Sequence, residues 1–435
     1  MIFYKIIPLS ILSLLVSKSA FAYLDPGSGS LLVYFLIGAL ATLTYSIKSL
    51  IFKTKAYLRK YMYGEKVDLK KKRNIVFYSE GGHYWSTFKP VIEELLNEGV
   101  ECSYYSSDKN DEGLKYNSPK LETMFIGNSQ YSQMSLNYLK AKIFVMTTPQ
   151  LDILHLKKSK DVDYFVHLIH SPVDVFKYRP FSFDFFDCIM CSGYYQINHL
   201  RMIEKERNLK SKNLLETGLV YFDELLKTKQ DTNSLNDERN DQKIILVAPT
   251  WGRSSLLNKV GFNFIKILID AGLEVILRPH PQSYISDLEL IKDIEVKCDN
   301  FDQVSIDNNP SAQKSMEKAH LMVSDVSGVI FDFAFIYEKP VVTFKSIVAE
   351  DSLLEINTLN KDKVDKIKIW EIENKSKIST EISVDDINDL PEIIEKTLQK
   401  DFQSSIQKLR SESVFNYGYA GKVASSQLQK ILKDL

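Results

Sequence analysis

A chain of 435 residues is too long for one ordinary hydrophobic core and suits two domains with a short additional segment. Hydrophobic residues at 44% and charged residues at 26% are the balance of a folded enzyme, which excludes wholesale disorder and a multispanning membrane protein. A formal net charge of -1 argues against general nucleic-acid binding, although residues 48–73 hold ten Lys/Arg against two acids.

The amino-terminal stretch reads as an address. Lys5 precedes a mainly apolar run, Ile6–Val16, and Ala20-Phe21-Ala22 has the small-x-small pattern of a signal-peptidase site, so residues 1–22 are a signal peptide or a first membrane segment. After the turn-forming Asp25-Pro26-Gly27-Ser28-Gly29-Ser30 comes Leu31–Ile47, seventeen residues without a charge, at the short limit for a transmembrane helix. By the positive-inside rule the basic juxtamembrane segment 48–73 puts the rest of the chain on the cytoplasmic face of a bacterial inner membrane. It also offers charge to anionic lipids.

From residue 74 apolar strand candidates alternate with helical spacing. Asn74–Ser79, Glu101–Tyr105, Thr123–Ile126, Lys142–Thr147, Tyr164–His170 and Asp187–Cys191 make a first lobe over 74–226. Polar residues 227–242 form a linker. A second lobe over 243–383 carries strands Lys243–Ala248, Leu273–Leu277, His320–Val323 and Pro340–Phe344, with helices Gly261–Ala271 and Val329–Tyr337. Residues 384–435 are helical and positioned to pack back on the first lobe. Such alternation predicts parallel sheets covered by helices on both faces, a Rossmann-like α/β chain.

The four cysteines are too scattered for a disulfide framework, and Cys188-Ile-Met-Cys191 lies in a strand candidate where positions i and i+3 face opposite ways, against metal or redox use. Asp161-Val162-Asp163 is a poor metal motif and reads as surface charge. No metal or cofactor is required by the residues singled out below.

Ligands of doubly wound sheets bind beyond the carboxyl ends of the strands, and five segments fall there. The first ends in Gly81-Gly82-His83, whose missing side chains admit a ligand or the opposite lobe on the acceptor side. Tyr164–His170 ends with His170 at its tip, able to serve as general base or as a cation beside phosphate, while His167 reads as a satisfied core residue. Ala248-Pro-Thr250-Trp251-Gly-Arg253 follows the first strand of the second lobe; Thr250 and Arg253 lie where a phosphate would pass, and Trp251 is a core candidate. Arg278-Pro279-His280-Pro281 holds a cation and a histidine in a rigid turn suited to a diphosphate. Ser324-Asp325-Val-Ser327-Gly328 opens a helix whose N-terminus favours an anion, with the same pattern available to a plain N-cap. Asp332, between Phe331 and Phe333, needs a partner such as Arg278 or a donor hydroxyl.

Three of these motifs, Ala-Pro-Thr-Trp at 248–251, His280-Pro281 and Ser324–Asp332, occur in the order found in the CDP-glycerol glycerophosphotransferases of teichoic-acid and capsule assembly, which the second lobe resembles. The resemblance implies a GT-B arrangement of two Rossmann-like lobes facing a cleft and CDP-glycerol as donor. It places His280 and Ser327 on the donor phosphates, with Asp325 and Asp332 shaping the site. It implies a catalytic histidine in the first lobe, nearest to His170-Ser171-Pro172, where the family carries His-Gly-Thr-Pro. Thr217–Asp223 resembles the family's Gly-x-Pro-x-x-Asp element without its proline. The implied reaction moves glycerol phosphate to a hydroxyl of an envelope polymer or a lipid-linked acceptor, releasing CMP. A glycosyltransferase using a nucleotide-sugar, or a catalytically silent membrane-bound assembly partner, fits the same strand-end residues.

Overall fold

The computed structural model of the chain describes residues 35–40, 42–47, 50, 71–127, 132, 135–153, 156–232, 242–309, 311–325, 327–345, 354–360 and 367–435. They fall into two units, Met1–Asp68 and Leu69–Leu435. In the first, residues 35–40 and 42–47 are helical, and Phe35, Ile37, Leu40, Leu43 and Ile47 are exposed. The hydroxyls of Thr42, Thr44 and Ser46 each donate to a carbonyl four residues back at 2.8 Å, which satisfies them within the helix. Among the described residues no helix is long and apolar enough to cross a membrane. The expected segment 1–22, residues 31–34 of the expected span and most of 48–73 lie outside the described residues.

The second unit holds two sheets. Runs rich in Val, Ile, Phe and Tyr form β1 (Arg73–Ser79), β2 (Cys102–Ser106), β3 (Leu121–Phe125), β4 (Ala141–Met146), β5 (Val162–Leu168), β6 (Cys188–Cys191) and β7 (Asn213–Glu216). They pair in parallel in the order β3-β2-β1-β4-β5-β6-β7. The second sheet comprises β8 (Ile244–Val247), β9 (Glu274–Leu277), β10 (Val304–Ile306), β11 (Leu321–Ser324), β12 (Val341–Phe344) and β13 (Ser379–Ile382), also parallel, ordered β10-β9-β8-β11-β12-β13. Each sheet reverses direction once, between β1 and β4 and between β8 and β11. Those two switch points open the crevices in which such sheets bind ligands.

Helices α1 (Trp85–Asn97), α2 (Tyr194–Glu206), α3 (Val220–Thr232), α4 (Leu256–Val260), α5 (Asn263–Asp270), α6 (Leu288–Cys298) and α7 (Val329–Tyr337) cover the sheets. In α1, Phe88, Val91, Ile92 and Leu95 recur at helical spacing and bury against Ile75 and Phe77 of β1. The linker expected from residue 227 begins later, because α3 runs through it to Thr232; residues 233–241 lie outside the described residues. The C-terminal region forms α8 (Trp370–Asn374), α9 (Leu390–Leu398), α10 (Gln403–Ser413) and α11 (Ala420–Asp434). As expected, α11 returns to the first lobe, where Ala420, Ala424, Leu428 and Ile431 join the core beneath β1 and β4. Two hydrogen bonds to Asp223, from the amides of Ala420 (3.2 Å) and Gly421 (2.7 Å), fasten its start.

Cys188 and Cys191 are buried on opposite faces of β6, in separate core layers, as alternation along a strand requires. Burial pushes both thiols well above the usual range. Asp161 and Asp163 form ion pairs with Lys140 and Lys72. Among the described residues no group of three His, Cys, Asp or Glu could hold a metal.

Candidate active site at the interlobe cleft

The second-lobe half is built by Asp325. Its buried carboxylate accepts from the amides of Thr250 (2.7 Å) and Leu256 (2.9 Å), so the loop after β8 is drawn onto the end of β11. Ser324 tightens the same junction by donating to Ala248 O at 2.7 Å. Both are structural supports of the site. Ser327 and Gly328 follow, half-buried, at the entrance to α7, while Val326 lies outside the described residues. Thr250 flanks them and Arg253 is exposed on the same loop.

His280 Nδ1 accepts the Gln282 amide at 3.0 Å. The proton of the neutral ring therefore belongs on Nε2, leaving a fixed N–H donor on the side away from the turn. Burial holds this histidine below its ordinary pKa, so the neutral form persists at pH 7. Trp251, 6.3 Å from the His280 ring, is 44% exposed and is not the core residue its size suggests. Arg278 also departs from expectation. Its guanidinium pairs with Asp307 at 2.7 Å and donates to Asn309 O at 2.8 Å, stapling the exits of β9 and β10, so its charge is already compensated.

The first lobe meets this half directly. An added Cβ on Gly328 would lie 2.8 Å from Ser171 Oγ and 2.9 Å from Val173 Cγ2, so only glycine lets the His170-Ser171-Pro172 loop reach the mouth of α7. His170 itself stands two residues beyond the end of β5, in that loop rather than at a strand tip. Its ring is edge-on to Tyr84 at 4.9 Å, and Nδ1 is buried without a hydrogen-bond partner. Burial first, then His83, holds it at about 4, so it is neutral and proton-accepting. His167 is core as expected, with no side-chain partner for either ring nitrogen among the described residues and the Thr148 backbone as the one hydrogen-bonding group acting on the ring.

Gly81 and Gly82 approach their own lobe rather than the opposite one. Gly82 donates to Asp108 at 3.3 Å in a short turn packed on Asp111, and the His83 ring lies tilted against Tyr84 at 4.0 Å between centroids.

Three participants were not singled out in the sequence. Tyr221 donates its hydroxyl to Asp332, supplying the partner that Asp332 requires; burial nevertheless pushes the carboxyl up to about 7. Lys177 lies 3.6 Å from the buried Glu371 and its charge reaches Asp325. It brings to the cleft a cation that Arg278 does not. Trp370 stacks on Tyr195 at 4.4 Å and its amide bonds Asp174 at 3.0 Å, so α8 ties the second lobe to the histidine-bearing loop. Lys177 has an unremarkable sequence context and Tyr221 sits inside the Thr217–Asp223 element without being singled out there, so only an interlobe contact marks them.

Residues 195–348 match the sequence model of the CDP-Glycerol:Poly(glycerophosphate) glycerophosphotransferase family. This stretch of the chain is similar to that family. The match spans α2 through β12 and includes all three second-lobe motifs. No curated protein matches the sequence. Among solved structures, the wall teichoic acid polymerase TagF, a histidine-to-asparagine variant with CDPG, is 16% identical, with a TM-score of 0.56 over 92% of this chain and 98% of that one. The UDP-GlcNAc 2-epimerase of Neisseria meningitidis bound to UDP-GlcNAc is 12% identical, with a TM-score of 0.53 over 83% and 100%. Its counterpart from Methanocaldococcus jannaschii is 14% identical, with a TM-score of 0.51 over 83% and 100%. The second unit thus has the two-lobed α/β fold of GT-B type.

Proposed function

We propose that this transferase moves glycerol phosphate from CDP-glycerol to a hydroxyl of a cell-envelope polymer. The observation that carries this reading is the contact of Gly328 with Ser171, which sets a neutral histidine loop against the N-terminus of α7. The acceptor oxygen forms a bond to the β-phosphorus, the bridging bond of the diphosphate breaks, and CMP leaves with the bridging oxygen. The acceptor proton passes to His170, whose basicity rises once the diphosphate places negative charge beside it. His280 Nε2–H, Ser327, Lys177 and the amides opening α7 oppose the charge that develops on the phosphoryl oxygens. Trp251 offers an exposed ring to the cytosine or ribose.

The family match and the agreement of the neighbours' fold support a nucleotide-activated donor. The helical residues 35–40 and 42–47, with their hydroxyls satisfied internally, support an anchor at the inner membrane, with the catalytic lobes cytoplasmic and the basic segment on anionic lipid. Incubating the full chain with CDP-glycerol and with UDP-sugars tests the donor. CMP release that disappears in His170→Ala is expected; release of UDP alone would replace this reading with a glycosyltransferase. Recovery of the protein in the salt-washed soluble fraction of cells would remove the anchor.

A further inference from the structure

At the first sheet's switch point, Tyr78 of β1 pairs in register with Met146 of β4, and Met146 with His167 of β5. Two residues further on, Glu80 and Thr148 stand side by side where the strands diverge, one loop away from His170. Thr148 lies beside the Glu80 carboxylate and draws its titration down, and its buried hydroxyl has no other partner among the described residues. Thr147, 1% exposed, has an unpaired hydroxyl, and His167 beneath has no side-chain partner for either nitrogen. Buried polar atoms are nearly always satisfied, so a cluster of unsatisfied ones at a switch point marks where a polar ligand belongs. Glu80 keeps surface open to solvent while the surrounding walls still raise its carboxyl above the ordinary range, the condition of a group in a cleft. Arg179, on the loop that follows His170, acts on Glu80 electrostatically, and its guanidinium closes no ion pair among the described residues.

We propose that Glu80, Thr148 and Arg179 form the acceptor subsite and set its specificity. Glu80 and Thr148 exchange hydrogen bonds with neighbouring hydroxyls of a polyol end, while Arg179 holds a phosphate one linkage away. The acceptor hydroxyl is thereby presented to His170 from the first lobe, opposite the donor. None of the three belongs to the second-lobe motifs, and the assignment rests on the transfer reaction proposed above.

The test uses the full chain with CDP-glycerol as donor and glycerol 3-phosphate or glycerol as acceptor. Glu80→Gln should raise KM for both acceptors about tenfold or more, and Arg179→Gln should do so for glycerol 3-phosphate alone, the loss of about one charge-assisted hydrogen bond. Arg179→Lys should recover part of the loss, and KM for CDP-glycerol should shift less than about twofold in each. Unchanged acceptor KM values, or donor KM rising in parallel, overturn the subsite. If the wild-type chain releases no CMP, the donor reading fails, and saturation-transfer NMR with glycerol 3-phosphate then decides separately: binding abolished by Arg179→Gln retains the subsite, and equal binding or none by both proteins removes it.

Discussion

The Tyr221 hydroxyl donates to the Asp332 carboxylate, joining the helix that leaves the first lobe to the helix that opens after β11 in the second. Burial raises Asp332 from 3.8 to about 7, and the Tyr221 hydrogen bond pulls it back. Tyr221→Phe should therefore move the Asp332 titration upward, and Asp332→Asn should remove it; the pH dependence of CMP release reads both. Because the folded pKa lies above the unfolded one, this group's stabilisation is complete below about 3.8 and disappears as pH rises to about 7. Urea titrations across that window should show wild type losing stability relative to Asp332→Asn.

Gly328→Ala places a methyl group 2.8 Å from Ser171 Oγ and 2.9 Å from Val173 Cγ2. Overpacking of this kind costs about 1–3 kcal/mol, and here it also parts His170 from α7. CMP release should fall at least tenfold, roughly the effect of a 1 Å misplacement or more. Adding Val173→Ala should restore part of it. A double variant no better than Gly328→Ala would show that the lobes do not meet here.

His280→Ala removes the Nε2–H donor that the Gln282 amide fixes. The expected loss in kcat is about 100- to 1000-fold, as for a preorganised oxyanion donor. His280→Gln, which returns an amide N–H near the Nε2 position, should keep more activity than His280→Ala.

Trp251 is exposed, so Trp251→Ala should leave the unfolding midpoint unchanged while raising KM for the donor. Stacking of a base on an aromatic ring contributes about 1–3 kcal/mol, or roughly five- to 150-fold. A change in kcat with donor KM intact would place the nucleotide elsewhere.

A buried clamp holds the second-lobe segment 354–360 on the first lobe. Glu355 accepts from the Phe181 amide at 2.5 Å and pairs with Arg207 at 2.6 Å, and Arg207 also reaches Asp184 at 2.6 Å. Glu355→Ala leaves a cation that is largely buried with one acid instead of two. It should cost about 1–3 kcal/mol in urea unfolding, because the Phe181 amide loses its acceptor while Arg207 keeps Asp184. A loss below 1 kcal/mol would show that the clamp is solvated.

Apolar periodicity located nearly every central strand, and α7 at its observed limits, because a parallel sheet buried on both faces demands continuous Val, Ile and Phe. The strands that escaped it, β7, β10 and β13, are all edges, where Asn213–Glu216 and Ser379–Ile382 carry polar residues on their solvent-facing sides. Strand ends and helix starts likewise located the His280 turn after β9 and the Ser324–Asp332 junction of β11 with α7, since turn chemistry is local. By itself, then, the sequence determined two Rossmann-like lobes, their order and the donor-side motifs. Only the tertiary structure decided that Arg278 is consumed by Asp307, that Tyr221 is the partner of Asp332, that Lys177 reaches the cleft, and that Gly328 is where the lobes touch. Each of these pairs residues at least 29 positions apart in the chain. Charge compensation and close approach across such distances depend on how sheets and helices stack, and no local pattern encodes them.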